Sequence, residues 1–200
     1  MAKKNITKEQ AVMAALDLLQ DKGEVRGVNL REIAHVLGCA HTNLYHYFPS
    51  LGALLWAAHT EVQKRFTAEV ARELEAAGDG RDRLRRFFFA LAALYVDHEG
   101  WFRLLWLAPM EGPAPEEDKA ATGEAVDAMV EALEGICLAM APPAPARERI
   151  HSVLHDVHCY MVGEVSNFIS GRGLIRDARQ LKDHIAQTAA AFFILALREE

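Results

Sequence analysis

The sequence predicts an all-α protein of about nine helices, with a three-helix head at its N-terminus and a larger helical remainder. Three observations predict it. Period-2 alternation of β-branched and aromatic residues appears over no useful length, and no Asn-Gly or Asp-Gly pair joins two alternating runs. Helix-capping signals recur instead. Apolar residues repeat at three- and four-residue steps between glycine and proline breaks. At 200 residues, 51% apolar and 25% charged, the chain has ample material for a packed core.

Each element has a local reason. Thr7 and Gln10 form a capping box, in which each side chain satisfies the other residue's backbone amide, and the helix they start runs to Lys22, stopped by Gly23. Asn29 caps a short helix that ends at Gly38, and a brief third helix over 41–47 precedes Pro49. A long helix over 50–77 carries Leu55, Ala58, Val62, Phe66, Val70 and Leu74 on one stripe. Gly78 and Gly80 break it. The next helix covers 81–98, and Gly100 reads as a joint before an aromatic helix over 101–108. Prolines at 109–115 and 142–145 bracket a helix over 116–140. Helices over 146–171 and 177–199 complete the chain, separated by Gly171 and Gly173.

The longest apolar runs, 87–96 and 189–197, fall short of the roughly 18–20 residues a membrane helix needs. The N-terminus lacks the apolar stretch of a secretory signal. Cys39, Cys137 and Cys159 are an odd, widely spaced set that makes no disulfide framework. These features predict a cytoplasmic protein with no membrane partner. Charge is unevenly shared: residues 1–50 carry six Lys/Arg against five Asp/Glu, while 51–200 carry sixteen against twenty-three. A near-neutral end on an acidic remainder permits a nucleic-acid partner without requiring one.

Within residues 29–47, Ile33, Leu37 and Leu44 are spaced so that two short helices bury one seam. Ala34 is small where the helices approach, and Gly38 supplies the left-handed turn. The second helix can then project its outer face into a major groove, although the same spacing suits an ordinary pair of packed helices. The residue types decide more. Residues 29–55, NLREIAHVLGCAHTNLYHYFPSLGALL, closely resemble the DNA-binding domain of the TetR family of transcriptional regulators. The resemblance is strong over residues 5–55, with a weaker echo around 160–164. It implies a helix-turn-helix domain over 1–50 and a ligand-binding and dimerisation domain over 51–200.

What the resemblance implies for DNA falls on particular residues. Arg31 is placed for a base or a phosphate. His41, Thr42 and Asn43 open the recognition helix, where short polar side chains reach base edges or phosphate oxygens. Tyr45 and Tyr47 offer hydroxyls to phosphates, Leu44 and Phe48 belong to the core, and His46 suits either role. The chain departs from the family pattern at three places. Ala40 stands where a capping Ser or Thr is common, Leu51 where a phosphate-facing lysine is common, and Gly52 or Ala53 where a glutamate is usual. Weaker DNA binding is the expectation, with Lys3, Lys4 and Lys8 as compensating cations.

The resemblance also implies a homodimer, and hence an inverted-repeat operator in double-stranded DNA. The last two helices support pairing independently: Gly163, Asn167, Ser170 and Gly171 line one, while Leu181, Ile185, Thr188, Phe192 and Leu195 stripe the other. Burial within one chain is the competing explanation. The aromatic middle, including Phe87, Phe88, Phe89, Tyr95, Phe102 and Met129, suits plain core or the wall of an effector cavity. Trp101, Trp106, Met110, His155 and Cys159 are the candidate effector-binding residues. His151, His155 and Cys159 recur every four residues with His158 beside them, a spacing that suits a zinc site or a polar pocket end.

No nucleophile–base pair, phosphate loop or metalloprotease motif is present, and Asp97, His98 and Glu99 read as a helix end. No catalytic residue, resident metal or cofactor is expected. The expected function is a repressor whose operator affinity falls when a small apolar or aromatic molecule binds the C-terminal domain. The alternative is a metal-responsive regulator using His151, His155, His158 and Cys159.

Overall fold

The computed structural model describes residues 6–75 and 78–198. Among them are nine helices and no strand: α1 (Lys8–Lys22), α2 (Leu30–Leu37), α3 (His41–Leu44), α4 (Leu51–Leu74), α5 (Gly80–Asp97), α6 (Glu99–Trp106), α7 (Glu116–Met140), α8 (Arg147–Ile169) and α9 (Ala178–Ala196). The all-α expectation holds, with ends within a few residues. Lys3, Lys4 and the expected helix ends at 77 and 199 lie outside the described residues.

Local chemistry sets the boundaries. Gln10 N–H donates to Thr7 Oγ1 at 3.1 Å and Thr7 N–H to Gln10 Oε1 at 2.9 Å, closing the capping box. Gly23 (φ 64°) and Gly38 (φ 67°) end α1 and α2 in the left-handed conformation that a β-carbon disfavours. Asn29 Oδ1 accepts from the amides of Arg31 and Glu32, both at 3.1 Å.

The chain folds into two compact units: residues up to Lys64 with His98–Thr122, and Arg65–Asp97 with Gly123 onward. In the first, α1 packs against α2 and α6. Its core includes Ala15, Leu16, Leu19, Ile33, Leu44, Leu54 and Phe102, all buried. Gly100 is not the joint its sequence context suggested. It sits inside the first turn of α6, where a β-carbon would lie 2.0 Å from the Leu19 carbonyl oxygen. Glycine is needed there because two backbones meet.

The second unit packs α5, α8 and α9 together. Phe88 meets Phe87 and Phe193 with ring centroids 5.1 and 5.8 Å apart, and Phe66 meets Tyr95 at 5.6 Å. Burying each such ring is worth about 1.5–3 kcal/mol, so these residues dominate the unit's stability. Ion pairs fasten its rim: Lys182 with Asp97 at 2.9 Å, and Arg147 with Asp127 and Glu134 at 2.8 Å.

Candidate nucleic-acid interface

The helix-turn-helix is built from α2, a turn at Gly38 and α3. Ile33 and Ala34 of α2 are buried, as are Leu44 of α3 and Phe48 beyond it. Leu37 is only half-buried. Burial of that inner side leaves His41, Thr42, Tyr45, His46 and Tyr47 exposed and Asn43 half-exposed, with Arg31 exposed at the start of α2. His41 and Tyr45, one turn apart, make an edge-on ring contact at 6.4 Å. The structure therefore brings the residues singled out around α3 onto one accessible segment.

Two details refine that surface. The Tyr47 hydroxyl donates to the Ile6 carbonyl at 2.5 Å, so its proton ties the chain entering α1 to the turns that follow α3. Both tyrosine rings are exposed, and only that of Tyr47 has its hydroxyl proton engaged in this way. Ala40 makes no side-chain cap to α3, as expected. Helical order stops at Leu44, and the next residues continue as turns, with Phe48 N–H reaching the Leu44 carbonyl at 2.9 Å. Lys8 sits 5.8 Å from the Phe48 ring, which places one cation of α1 beside this segment.

No protein-family model and no curated protein matches the sequence. Solved structures do match. A TetR-family transcriptional regulator from Streptomyces coelicolor superposes with a TM-score of 0.69 at 19% identity, covering 97% of this chain and 86% of that one. The TetR-family regulator PfmR from Thermus thermophilus gives 0.59 at 22% identity, covering 94% and 97%. The fold is that of the TetR-family regulators. FadR from Bacillus subtilis, solved in complex with stearoyl-CoA, gives 0.66 at 13% identity, covering 92% and 98%.

Within this TetR fold, three of the effector residues expected from the sequence belong to the first unit and two to the second. Trp101 lies in the first unit, donates its indole N–H to the Leu16 carbonyl at 3.1 Å and stacks on His98 at 4.2 Å. It fastens α6 to α1. Trp106 is exposed and Met110 half-exposed, both also in the first unit. His155 and Cys159 lie exposed on α8, with Nε2 and Sγ 3.7 Å apart. A cavity of about 60 Å³ in the second unit is lined instead by Thr67, Val70, Ala71 and Leu74 of α4 and Ala128, Met129 and Ala132 of α7.

The metal-responsive alternative fails on geometry. Among the described residues no group of three or more His, Cys, Asp or Glu side chains could hold a metal ion. His158 leaves the His151, His155, Cys159 stripe and turns inward, its Nε2 2.9 Å from the hydroxyl of buried Tyr95. Burial, with a smaller contribution from His155, pushes the His158 pKa down to about 4. The ring is therefore neutral near pH 7. Sequence reading named both members of this pair but not their contact, since 63 positions separate them.

Proposed function

We propose that this chain is a DNA-binding transcriptional regulator, a repressor that holds an inverted-repeat operator as a homodimer and releases it when a small apolar or aromatic effector binds. The observation that carries this reading is the segment around α3. His41, Thr42, Tyr45 and His46 stand exposed while Leu44 and Phe48 anchor the same segment in the core. Seated in a major groove, His41, Thr42 and Asn43 reach base edges, and Arg31 and the Tyr45 hydroxyl reach phosphates. Residues 1–50 read DNA in this account, and 51–200 carry effector binding and pairing.

Exposed apolar residues on α9 support pairing. Leu181, Ile185, Ala189 and Phe193 are buried within the unit, whereas Phe192 and Leu195 are 36% and 58% exposed. Those two, with the exposed stripe of α8 at His151, His155, Cys159 and Gly163, form the face that a second copy would cover. For the effector, the second unit offers a buried aromatic core and a neutral hydrogen-bonding pair, Tyr95 and His158. The complex of a similar fold with stearoyl-CoA supports a largely apolar molecule. The cavity of about 60 Å³ is small against the roughly 300 Å³ of typical ligand sites, so binding opens it by repacking. α4 runs unbroken from Leu51 to Leu74 and passes from the first unit into the second at Lys64. Through it, effector and operator each weaken the other's binding by one shared factor.

A gel shift with the intergenic DNA beside the protein's own gene tests the reading. His41→Ala with Tyr45→Phe should weaken binding by about a hundredfold, from two lost contacts of about 1–3 kcal/mol each. Unchanged binding by the double variant, or sedimentation only as single chains, overturns it.

A further inference from the structure

α4 carries a second face that the apolar stripe does not account for. Gly52, Trp56, His59, Thr60 and Gln63 recur at helical spacing, and residues 111–118 meet them within the first unit. The Gly52 β-position would lie 2.6 Å from Glu111 Oε2. Trp56 donates its indole N–H to the Glu111 carbonyl at 2.9 Å. In the first turn of α7, Asp118 is 3% exposed, and one of its oxygens, Oδ1, gathers three side chains of α4. His59 Nδ1 and Thr60 Oγ1 each lie at 2.7 Å, and Gln63 Nε2 at 3.5 Å.

A buried carboxylate held this way is a strong and directional constraint. Charge-assisted hydrogen bonds are short and roughly twice as strong as neutral ones, and leaving such a group without partners in the interior is costly. The α7 N-terminus adds its own attraction for the negative charge. The N-terminal end of α4 follows buried Phe48 after only Pro49 and Ser50, so the helix-turn-helix leads directly into it. Ser50 Oγ caps it by accepting from the Ala53 amide at 3.1 Å, and Leu54 and Ala58 are fully buried.

We infer that Asp118 is a positioning residue for DNA binding: its grip on His59, Thr60 and Gln63 sets where α4 holds the helix-turn-helix. This rests on the proposed function. Asp118 touches no DNA in this account and acts only through α4.

The test compares full-length wild type with Asp118→Ala, Asp118→Asn, Thr60→Val and Glu117→Ala. Each is followed by gel shift on the intergenic fragment, well below its melting temperature, and by hydrogen exchange of the α4 amides over 56–64. Asp118→Ala should weaken DNA binding at least tenfold and raise exchange across 56–64. Asp118→Asn, which keeps an acceptor at the same place, should restore most of both. Thr60→Val, which leaves the carboxylate and the other donors in place, should show the same direction with smaller size and covers the case in which Asp118→Ala fails to fold. Glu117→Ala removes an exposed carboxylate one position earlier, whose 4.0 Å pairing with Lys64 of α4 is solvent-screened and worth little, and should change neither readout. Folded Asp118→Ala, or Thr60→Val if that variant does not fold, with wild-type DNA affinity overturns the inference. Unchanged exchange over 56–64 overturns it whether or not DNA binds. Wild type that ignores the fragment while its clamp variants show faster exchange would reject the proposed function and leave a clamp with no DNA to position.

Discussion

In the first unit, side chains reach backbone carbonyls of other segments at four places, Trp101 to Leu16, Trp56 to Glu111, Lys22 to Gly27 and Tyr47 to Ile6, where the second unit has Arg149 to Ala196. In the second, rings and branched chains tie helices together, with Phe88 on Phe193 and Phe66 on Tyr95, and ion pairs stay at the rim. Hydrogen bonds weaken steeply with angle and distance, so they specify helix placement closely. Apolar packing tolerates volume-conserving rearrangement at small cost. Under the proposed function, the first unit would present one fixed surface to a rigid duplex and the second would open around a ligand.

That contrast can be broken at four places. Phe193→Ala empties a fully packed site in the second unit and should cost about 3–5 kcal/mol. At about 2–4 °C per kcal/mol for a chain this size, calorimetry should show a large fall in melting temperature. A drop under about 3 °C would mean the ring is not central.

His158 should give the next largest effect. Its pKa is about 4 in the folded chain against 6.5 for an unperturbed ring. As pH falls below 6.5 the unfolded chain takes up a proton that the folded chain refuses, so stability declines until about pH 4 and then levels. The loss amounts to about 3 kcal/mol. His158→Gln, which retains a hydrogen-bonding partner for Tyr95, should flatten this part of the pH–stability curve. An unaltered slope would assign it to other groups.

Gly100→Ala sharpens the comparison. The obstacle is the Leu19 backbone rather than a movable side chain, so α6 must retreat from α1. About 1–3 kcal/mol of stability should be lost, and hydrogen-exchange protection should fall in α1 and α6. Equal protection would show that the backbones are not in contact. The smallest effect is a gain. Ala40→Ser supplies the missing cap of α3, stabilising that helix by about 1 kcal/mol in chemical denaturation. No gain would mean that the turn at Gly38 holds α3 without help.

The helix-turn-helix was the most legible part of the chain. Asn29, Gly38, Leu44 and Phe48 each act within a few residues of their effect, so their roles follow from residue type and spacing. Tyr47 shows the limit: exposure of its ring was foreseeable, but its hydroxyl bond to Ile6 spans 41 positions. The effector residues were less legible. Aromatic density marked Trp101 without revealing that its indole N–H donates to the Leu16 carbonyl. The histidine cluster looked like ligands because helical spacing places side chains around an axis but does not say that His158 finds Tyr95. A signal for the second face of α4 was present at Gly52, Trp56, Thr60 and Gln63, overshadowed by the stronger apolar stripe.

The sequence by itself determined where helices begin and end and which side of each seeks the interior, since capping, left-handed glycine turns and apolar periodicity operate over one or two turns. Only the tertiary structure decided what each remaining face meets. Trp101 finds Leu16 across 85 positions, and His59 finds Asp118 across 59. Such pairings depend on how whole helices are placed, and a polar side chain carries no record in its neighbours of the partner that folding brings to it.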